Sequence, residues 1–380
     1  MYIVPLGGAD VRFLGGSARA RNARVAARAG SQVATLDTLD ATRPAPAMLV
    51  PPATALMPGL FSDPGLADVV RAQQASRLVS PEGATVVVGP ASVVLPLASR
   101  PDLLSALPAW PVGSGLLLSL SSRADRRRAT TAVLRGTQKA TDGFVSRTFN
   151  RPISRACSRL ALAVGMNATG ASLVTLLVGL ACAAIAAEPG PVALAITGVL
   201  FHTASVLDGV DGEIARATLT ESEMGARVDT IVDQVTYLAC FAGLTVGWVR
   251  EGSGMAALAW TALIGMVLVA TLARAARFVR HHAPNASFVW IDRSVRRASH
   301  ETGAVPLRAA AGLFTLLRRD LFAVIFLGVS FTGARALVPA LILAGIVVAN
   351  LTLSIYRRPI EVAAAALRAE AIGAASVPAG

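Results

Sequence analysis

The rhythm of apolar and polar residues changes near residue 140 of this 380-residue chain. Before that point the apolar runs are short: "MYIVPL", "SQVATLD", "AMLVPP" and "ATVVVGPASVVLPL". Each reads as a strand, and Arg/Ala-rich stretches and Pro-rich turns separate them. None reaches the roughly 18 apolar residues that cross a bilayer. Strands alternating with helical stretches predict a small soluble α/β domain over 1–135. The polar, basic stretch 121–143 reads as a linker.

Beyond the linker, Arg147, Arg151, Arg155 and Arg159 recur every fourth residue, with Phe144, Phe149, Ile153, Leu160 and Leu162 elsewhere. That pattern predicts an interfacial amphipathic helix, so 136–165 is expected to be basic linker plus that helix. Six long apolar runs follow, at 171–187, 191–207, 230–249, 255–273, 321–335 and 336–355. They predict an all-α membrane domain of six transmembrane helices over 166–358, with 359–380 as a C-terminal tail. A second interfacial helix is expected at "FVWIDRSVRRA", anchored by Phe288 and Trp290.

Composition agrees with the membrane reading. The chain is 54% hydrophobic and 15% charged, with a mean hydropathy of +0.59. Its formal charge is +12, and Lys139 is the only lysine. In a chain this apolar, basic residues mark cytoplasmic loops and face lipid phosphates, so no nucleic-acid partner is expected. The loop after the fourth run is rich in arginine, whereas the opposite side offers Glu188, Arg250, Glu251 and Arg335. Both termini and the polar loops are therefore expected in the cytoplasm, on the inner membrane of a bacterium. No cleaved signal peptide is expected at "MYIVPLGGAD", and Cys157, Cys182 and Cys240 read as reduced filler.

Candidate chemistry lies in "VLDGVDGEIARATLTESEMGARVDTIVDQV", where the second run ends and the third begins. Asp208 and Asp211 are i,i+3 on one helix, and Asp229 and Asp233 are i,i+4 on the next. Two facing helices would present four carboxylates to one point. Such a cluster repels itself unless a divalent cation neutralises it, and hard oxygen ligands select Mg²⁺, Mn²⁺ or Ca²⁺ over zinc. Gly212 and Gly225 leave room, Ala215 lies nearly on the Asp208 face, and Arg216 offers a fork for phosphate oxygens. Metal and arginine beside a membrane read as a diphosphate site. A metal-binding transporter or scaffold is the non-enzymatic alternative.

The spacing Asp-x2-Asp-Gly-x2-Ala-Arg-x8-Gly-x3-Asp-x3-Asp, from Asp208 to Asp233, resembles the signature of the CDP-alcohol phosphotransferase family. The resemblance covers about 140–356. It implies a homodimer that moves a substituted phosphate from a CDP-linked donor to an alcohol and releases CMP. It further implies Mg²⁺ or Mn²⁺ held by Asp208, Asp211, Asp229 and Asp233, with Asp233 as general base. Asp208, Gly212, Ala215, Arg216 and Gly225 would meet the CDP group. Family members often carry Pro-Asn and a nearby Thr at the start of the first span. Here Thr169 and Ser172 stand in the places of that Asn and Thr.

"KATDGFVSRTFNRPIS" is similar to members that make inositol phosphodiesters, in which a cytidylyltransferase domain comes first. The opening "VPLGGADVRFLGGSARARNARVAARAG" would then be a worn nucleotidyltransferase entry loop. It lacks a lysine before Lys139 and has no aspartate in "MLVPPATALMPGLF". A degenerate, non-catalytic domain is expected; the alternative is a bifunctional chain that also makes its CDP-alcohol. Arg151 and Arg155, or Arg274 and Arg277, are candidates to bind an acceptor such as inositol phosphate or another polyol or lipid headgroup. His281 and His282 are expected in a solvated loop.

Overall fold

The computed structural model describes residues 1–36, 38–39, 45–139, 142–143, 145–282, 289–316 and 319–376; Phe144 and Phe288 lie outside them. The chain forms two compact units. The first joins Met1–Ala140, Pro152–Ser172 and Gly209–Val228; the second joins Thr141–Arg151, Leu173–Asp208 and Asp229–Gly380.

The N-terminal region is α/β. Its strands are β1 (Tyr2–Pro5), β2 (Arg12–Phe13), β3 (Gly16–Ser17), β4 (Gln32–Val33), β5 (Pro46–Val50), β6 (Thr54–Leu56), β7 (Ser76–Val79), β8 (Thr85–Pro90), β9 (Ala109–Pro111) and β10 (Leu117–Ser119). Its helices are α1 (Ala18–Arg28), α2 (Pro64–Ala72), α3 (Ala91–Leu97), α4 (Pro101–Ala106) and α5 (Arg123–Gly136). Six strands form one mixed sheet in the order β4-β1-β5-β8-β7-β9. β1 runs parallel to β4 and β5, and β8 runs antiparallel to β5 and β7. Both faces are buried, and successive side chains of a strand serve them alternately. Met48 and Val50 join Ile3, Val86 and Val88 on one face, packed with Val25 of α1 and Val69 of α2. Leu49 joins Val4 and Val87 on the other, packed with Val94 of α3.

Two expectations change here. The run "ATVVVGPASVVLPL" is not one strand: β8 ends at Pro90 and α3 begins at Ala91. Much of the expected linker is α5, because Ser122 and Asp125 close a reciprocal capping box at its start. Ala129, Val133 and Leu134 bury one face of that helix.

The helical part continues with α6 (Arg151–Ala163), α7 (Ala168–Ala186), α8 (Pro191–Thr218), α9 (Glu223–Trp248), α10 (Gly254–His282), α11 (Val289–Thr302), α12 (Val305–Leu316), α13 (Arg319–Ser330), α14 (Leu337–Ile355) and α15 (Arg357–Ser376). Among the described residues, four helical stretches are long and apolar enough to cross a membrane: Ala168–Ala186, Pro191–Thr218, Glu223–His282 and Leu337–Ile355. Leu321–Ser330 is apolar but shorter. Glu223–His282 contains both α9 and α10, and Gly252 breaks it with φ 91° and ψ 3°.

Within the second unit, α7 and α9 approach to backbone contact. A Cβ on Gly243 would stand 2.2 Å from the Ala183 carbonyl oxygen, and one on Gly247 would stand 2.4 Å from that of Ala186. Small residues at i and i+4 allow this approach. Phe201, Phe322 and Phe326 fill the space among α8 and α13 with edge-on ring contacts. Beyond the ends of α7 and α9, the four charges Glu188, Arg250, Glu251 and Arg335 pair with one another. Arg335 meets Glu251 at 3.0 Å and also donates to the Ala186 and Glu188 carbonyls, and Arg250 meets Glu188 at 3.1 Å.

Other expectations for this region are corrected. α10 runs through His281 and His282, so they lie in a helix rather than a loop. Trp290 and Ile291 on α11 are buried, and Ile291, Val295 and Ala298 pack with Ile360 and Ala363 of α15. α11 thus packs one face against α15, and the tail is a helix that covers it. The even basic stripe is also interrupted: Ser146–Asn150 forms a π-helical turn of wider pitch, and Arg151 turns inward.

Candidate active site

The carboxylate motif is carried by two helices. Asp208 and Asp211 lie one turn apart on α8, and Asp229 and Asp233 lie one turn apart on α9. One oxygen each from Asp208, Asp229 and Asp233 falls within 4.8 Å of the others, and all three residues are half-buried. Oxygens that share a hard cation at about 2.0–2.6 Å stand no more than about 5 Å apart, so the trio fits such an ion. All three oxygens are carboxylate, the donor type that Mg²⁺ and Mn²⁺ prefer.

Asp211 is buried and has a different partner. Ser172 on α7 donates its hydroxyl to Asp211 Oδ2 at 2.5 Å. Ser172 was expected at the nucleotide; here its hydroxyl orients a motif carboxylate. Thr169 is exposed near the start of α7, which Asn167 caps by accepting from Gly170 N at 2.8 Å.

Gly212 and Arg216 act on one helix turn. A Cβ on Gly212 would lie 2.9 Å from an Arg216 Nη, so the glycine leaves space for the guanidinium to fold back along α8. Arg216 Nε donates to the Thr137 carbonyl at 2.9 Å. Ala215 is half-buried on the same helix. Gly225 lies in the first turn of α9, where its N–H donates to the Ser222 hydroxyl at 3.0 Å.

Glu213 has no solvent exposure, and the sequence reading passed over it. Its two oxygens accept from Ser154 at 2.6 Å and Ser158 at 2.7 Å, both on α6. The serines are i,i+4, which is the available sequence signal for this clasp. The end of α8 is held as well. Arg21 of α1 donates to Ala217 O at 3.0 Å and Leu56 O at 2.7 Å, and Arg24 donates to Thr218 O at 2.8 Å. Arg28 pairs with Glu221. Burial lowers Arg21 to about 10, helped by the charge of Arg24, so it stays cationic at neutral pH. Leu219 closes α8 at φ +58° and packs against the sheet core. Cationic side chains and a left-handed closing residue suit the orphan carbonyls of a helix C-terminus.

The candidate acceptor arginines separate by environment. Arg151 is 7% exposed and bidentate to Asp142, at 2.9 and 2.8 Å. Arg155 is half-buried. Arg274 and Arg277 line a cavity of about 680 Å³ with His281, His282, Arg357 and Glu361.

In the N-terminal region, the loop after β1 folds onto its own chain. Arg19 donates to the Leu6 and Gly8 carbonyls, and Asp10 accepts from Ser17 and from Arg19 N. Between β1 and β5 the chain reverses the order in which it adds strands, the usual crevice for a nucleotide in such sheets. The cavity there measures about 20 Å³, lined by Ile3, Pro5, Arg19, Asn22 and Val50 among others. That volume holds a single water.

Helix pair, carboxylate trio and flanking Gly–Arg turn fall in or beside a segment with a clear likeness. Residues 168–332 match the sequence profile of the CDP-alcohol phosphatidyltransferase family. The chain is similar to proteins named bifunctional IPC transferase and DIPP synthase. The likeness to that of Archaeoglobus fulgidus is 34% over 167 residues, 44% of this chain and 32% of the relative. With that of Thermococcus kodakarensis it is 40% over 124 residues, 32% of this chain and 28% of the relative. With that of Rubrobacter xylanophilus it is 36% over 147 residues, 38% of this chain and 32% of the relative. The matched part spans about a third of the length of these curated relatives.

Proposed function

We propose that this chain is an integral membrane CDP-alcohol phosphotransferase, built as a dimer of identical chains. It moves a substituted phosphate from a CDP-linked donor to an alcohol and releases CMP. The observation that carries this reading is the meeting of Asp208, Asp229 and Asp233 on α8 and α9, in a segment matched by the family. Asp208, Asp229 and Asp233 would hold Mg²⁺ or Mn²⁺, with Asp211 as the fourth carboxylate of the motif; when bound, the cation neutralises the donor diphosphate. Arg216, with the space left at Gly212, binds donor phosphate oxygens. Asp233 takes the proton of the acceptor hydroxyl as that oxygen bonds to the distal phosphorus of the donor. The bond from that phosphorus to the CMP oxygen breaks, and CMP leaves with the electron pair.

In this reading Glu223–His282 crosses the membrane twice, and α13 completes six crossings. Both termini and the carboxylates lie on the cytoplasmic side. Regions 1–135, 136–165, 166–358 and 359–380 serve as α/β domain, basic connector, catalytic membrane domain and packed tail. The α/β domain is non-catalytic and steadies the end of α8 through Arg21, Arg24 and Arg28. The filled crevice at β1 and β5 supports that role. The word bifunctional in the relatives' name supports the rival, an N-terminal domain that makes the CDP-alcohol. An inositol phosphate or another polyol phosphate is the acceptor class, and the Arg274–Arg277 cavity is its candidate seat.

The test is CMP release by the purified full-length chain with Mg²⁺ or Mn²⁺, across CDP-diacylglycerol, CDP-polyols and a panel of alcohols. Asp233→Asn is expected to lower turnover roughly 10³-fold while donor binding persists. Equal background release by wild type and Asp233→Asn would refute the enzyme reading. CTP turnover by the full chain that survives Asp233→Asn would establish the bifunctional rival.

A further inference from the structure

A second basic cavity, of about 850 Å³, lies in the first unit and plays no part in the chemistry above. Arg12 of β2, Arg123, Arg126 and Arg127 of α5, and Arg159 of α6 line it. Among the described residues none of these five makes an ion pair within 4.0 Å. Arg126 also donates to the Leu120 carbonyl at 3.0 Å. Five arginines around one space that no carboxylate lines repel one another, and an anion relieves that cost.

The architecture around the cavity is specific. β2 and β3 are joined by Leu14 and Gly15, both at positive φ, which is the tight two-residue hairpin turn. A Cβ on Gly15 would stand 2.9 Å from the Leu162 carbonyl, so the hairpin tip is pressed against the end of α6. Arg12 lies against Gly165, where an added Cβ would come within 3.1 Å of its Nη2. On α5 three arginines occupy the first five positions, where the helix dipole disfavours cations. The acid in that turn, Asp125, is bound to Ser122 and feels the charges of Arg128, outside the cavity, and of Arg126, but it does not line the cavity. Thr130 and Thr131 donate to their own helix at Arg126 O and Arg127 O, which leaves their oxygens able to accept. On α6, Ile153 and Leu160 are exposed at helical spacing beside Arg159, and Val164 is exposed just past its end, as on a helix that lies in a lipid interface.

We propose that this cavity binds a phosphorylated anion bearing at least two negative charges, separately from the Asp208 cluster. Its size lies within the range of ligand sites, and guanidinium forks match phosphate oxygens in pairs. The same chemistry is offered by a lipid headgroup at the α6 surface and by a soluble diphosphate.

The test uses the purified full-length chain in a neutral detergent with EDTA, so that no divalent cation bridges an anion to the carboxylates. Inorganic pyrophosphate is titrated by calorimetry. One saturable site per chain is expected, at least tenfold weaker in Arg123→Gln/Arg127→Gln. Arg12→Gln, on a different element, is expected to weaken it too. Arg71→Gln/Arg128→Gln, which removes the same charge outside the cavity, should bind as wild type. In a second arm, native mass spectrometry follows phosphatidylglycerol retained from phosphatidylcholine/phosphatidylglycerol nanodiscs. Retention that depends on Arg123 and Arg127 assigns the headgroup as the source; pyrophosphate binding alone assigns a soluble ligand. The proposal is overturned if neither probe binds saturably, or if the control pair loses as much as the cavity variants.

Discussion

At the scale of single residues, the motif divides its labour in ways its spacing does not announce. The spacing places four aspartates on two helices, but side-chain packing sets their partners. Asp208, Asp229 and Asp233 present oxygens to one point, whereas Asp211 is buried against the hydroxyl of Ser172. Glu213, between specified positions of the motif, spends both oxygens on Ser154 and Ser158. A periodicity reading sees Glu213 only as another acid, because its partners lie more than fifty residues away in sequence. Glu221 illustrates how such pairs respond to pH. Burial opposes its ionisation, and the Arg28 hydrogen bond, its own backbone N–H and the charges of Arg28 and Arg216 together outweigh that, so its carboxyl sits below the ordinary glutamate range. A depressed carboxylate stabilises the fold above its unfolded value and loses that contribution as pH falls through the folded one. The melting difference between wild type and Glu221→Gln is therefore expected to be constant above about pH 5 and to shrink to nothing on acidification below it. Differential scanning fluorimetry across pH checks this; a difference that grows toward acid would contradict the sign.

At the scale of elements, apolar runs and caps specify where helices form, and close contacts specify how they pair. The α7–α9 contact depends on Gly243 and Gly247 meeting the Ala183 and Ala186 carbonyls. Gly243→Leu places several atoms where a Cβ alone would stand 2.2 Å from backbone oxygen. The expected cost is about 1–3 kcal/mol, with Gly243→Ala at the lower end, read as a drop in melting temperature in detergent. Because α9 carries Asp229 and Asp233, CMP release should fall in step. Other elements were misjudged from sequence for identifiable reasons. Residues 121–143 are polar enough to pass for a linker, but the Ser122–Asp125 box and one buried face make most of them a helix. Trp290 beside arginines matches an interfacial pattern, yet α15 supplies the apolar surface that buries its neighbour Ile291. Arg151 fits a stripe at intervals of four until the π-helical turn before it changes the pitch.

At the scale of the whole molecule, the proposed count of crossings turns on one residue. A 60-residue helix would extend roughly 90 Å, three times a hydrocarbon core, so the break at Gly252 divides Glu223–His282 into two span-length helices. In a background without Cys157, a membrane-impermeant maleimide is expected to label Pro189→Cys, Ser253→Cys and Thr332→Cys from outside intact cells. Ser121→Cys and Ser222→Cys should label only after the cells are opened. Protection of Ser253→Cys in both conditions would place it within the bilayer and reduce the crossings. The sequence by itself determined an α/β start, long apolar helices and a carboxylate motif, because periodicity and motif spacing are local properties of the chain. It also marked the sparse charges Glu188, Arg250, Glu251 and Arg335. Only the tertiary structure decided that those four pair with one another, that α1 arginines hold the end of α8, and that three of four aspartates share a point. Each of these joins side chains distant in sequence, and their meeting follows from packing, which no local pattern encodes.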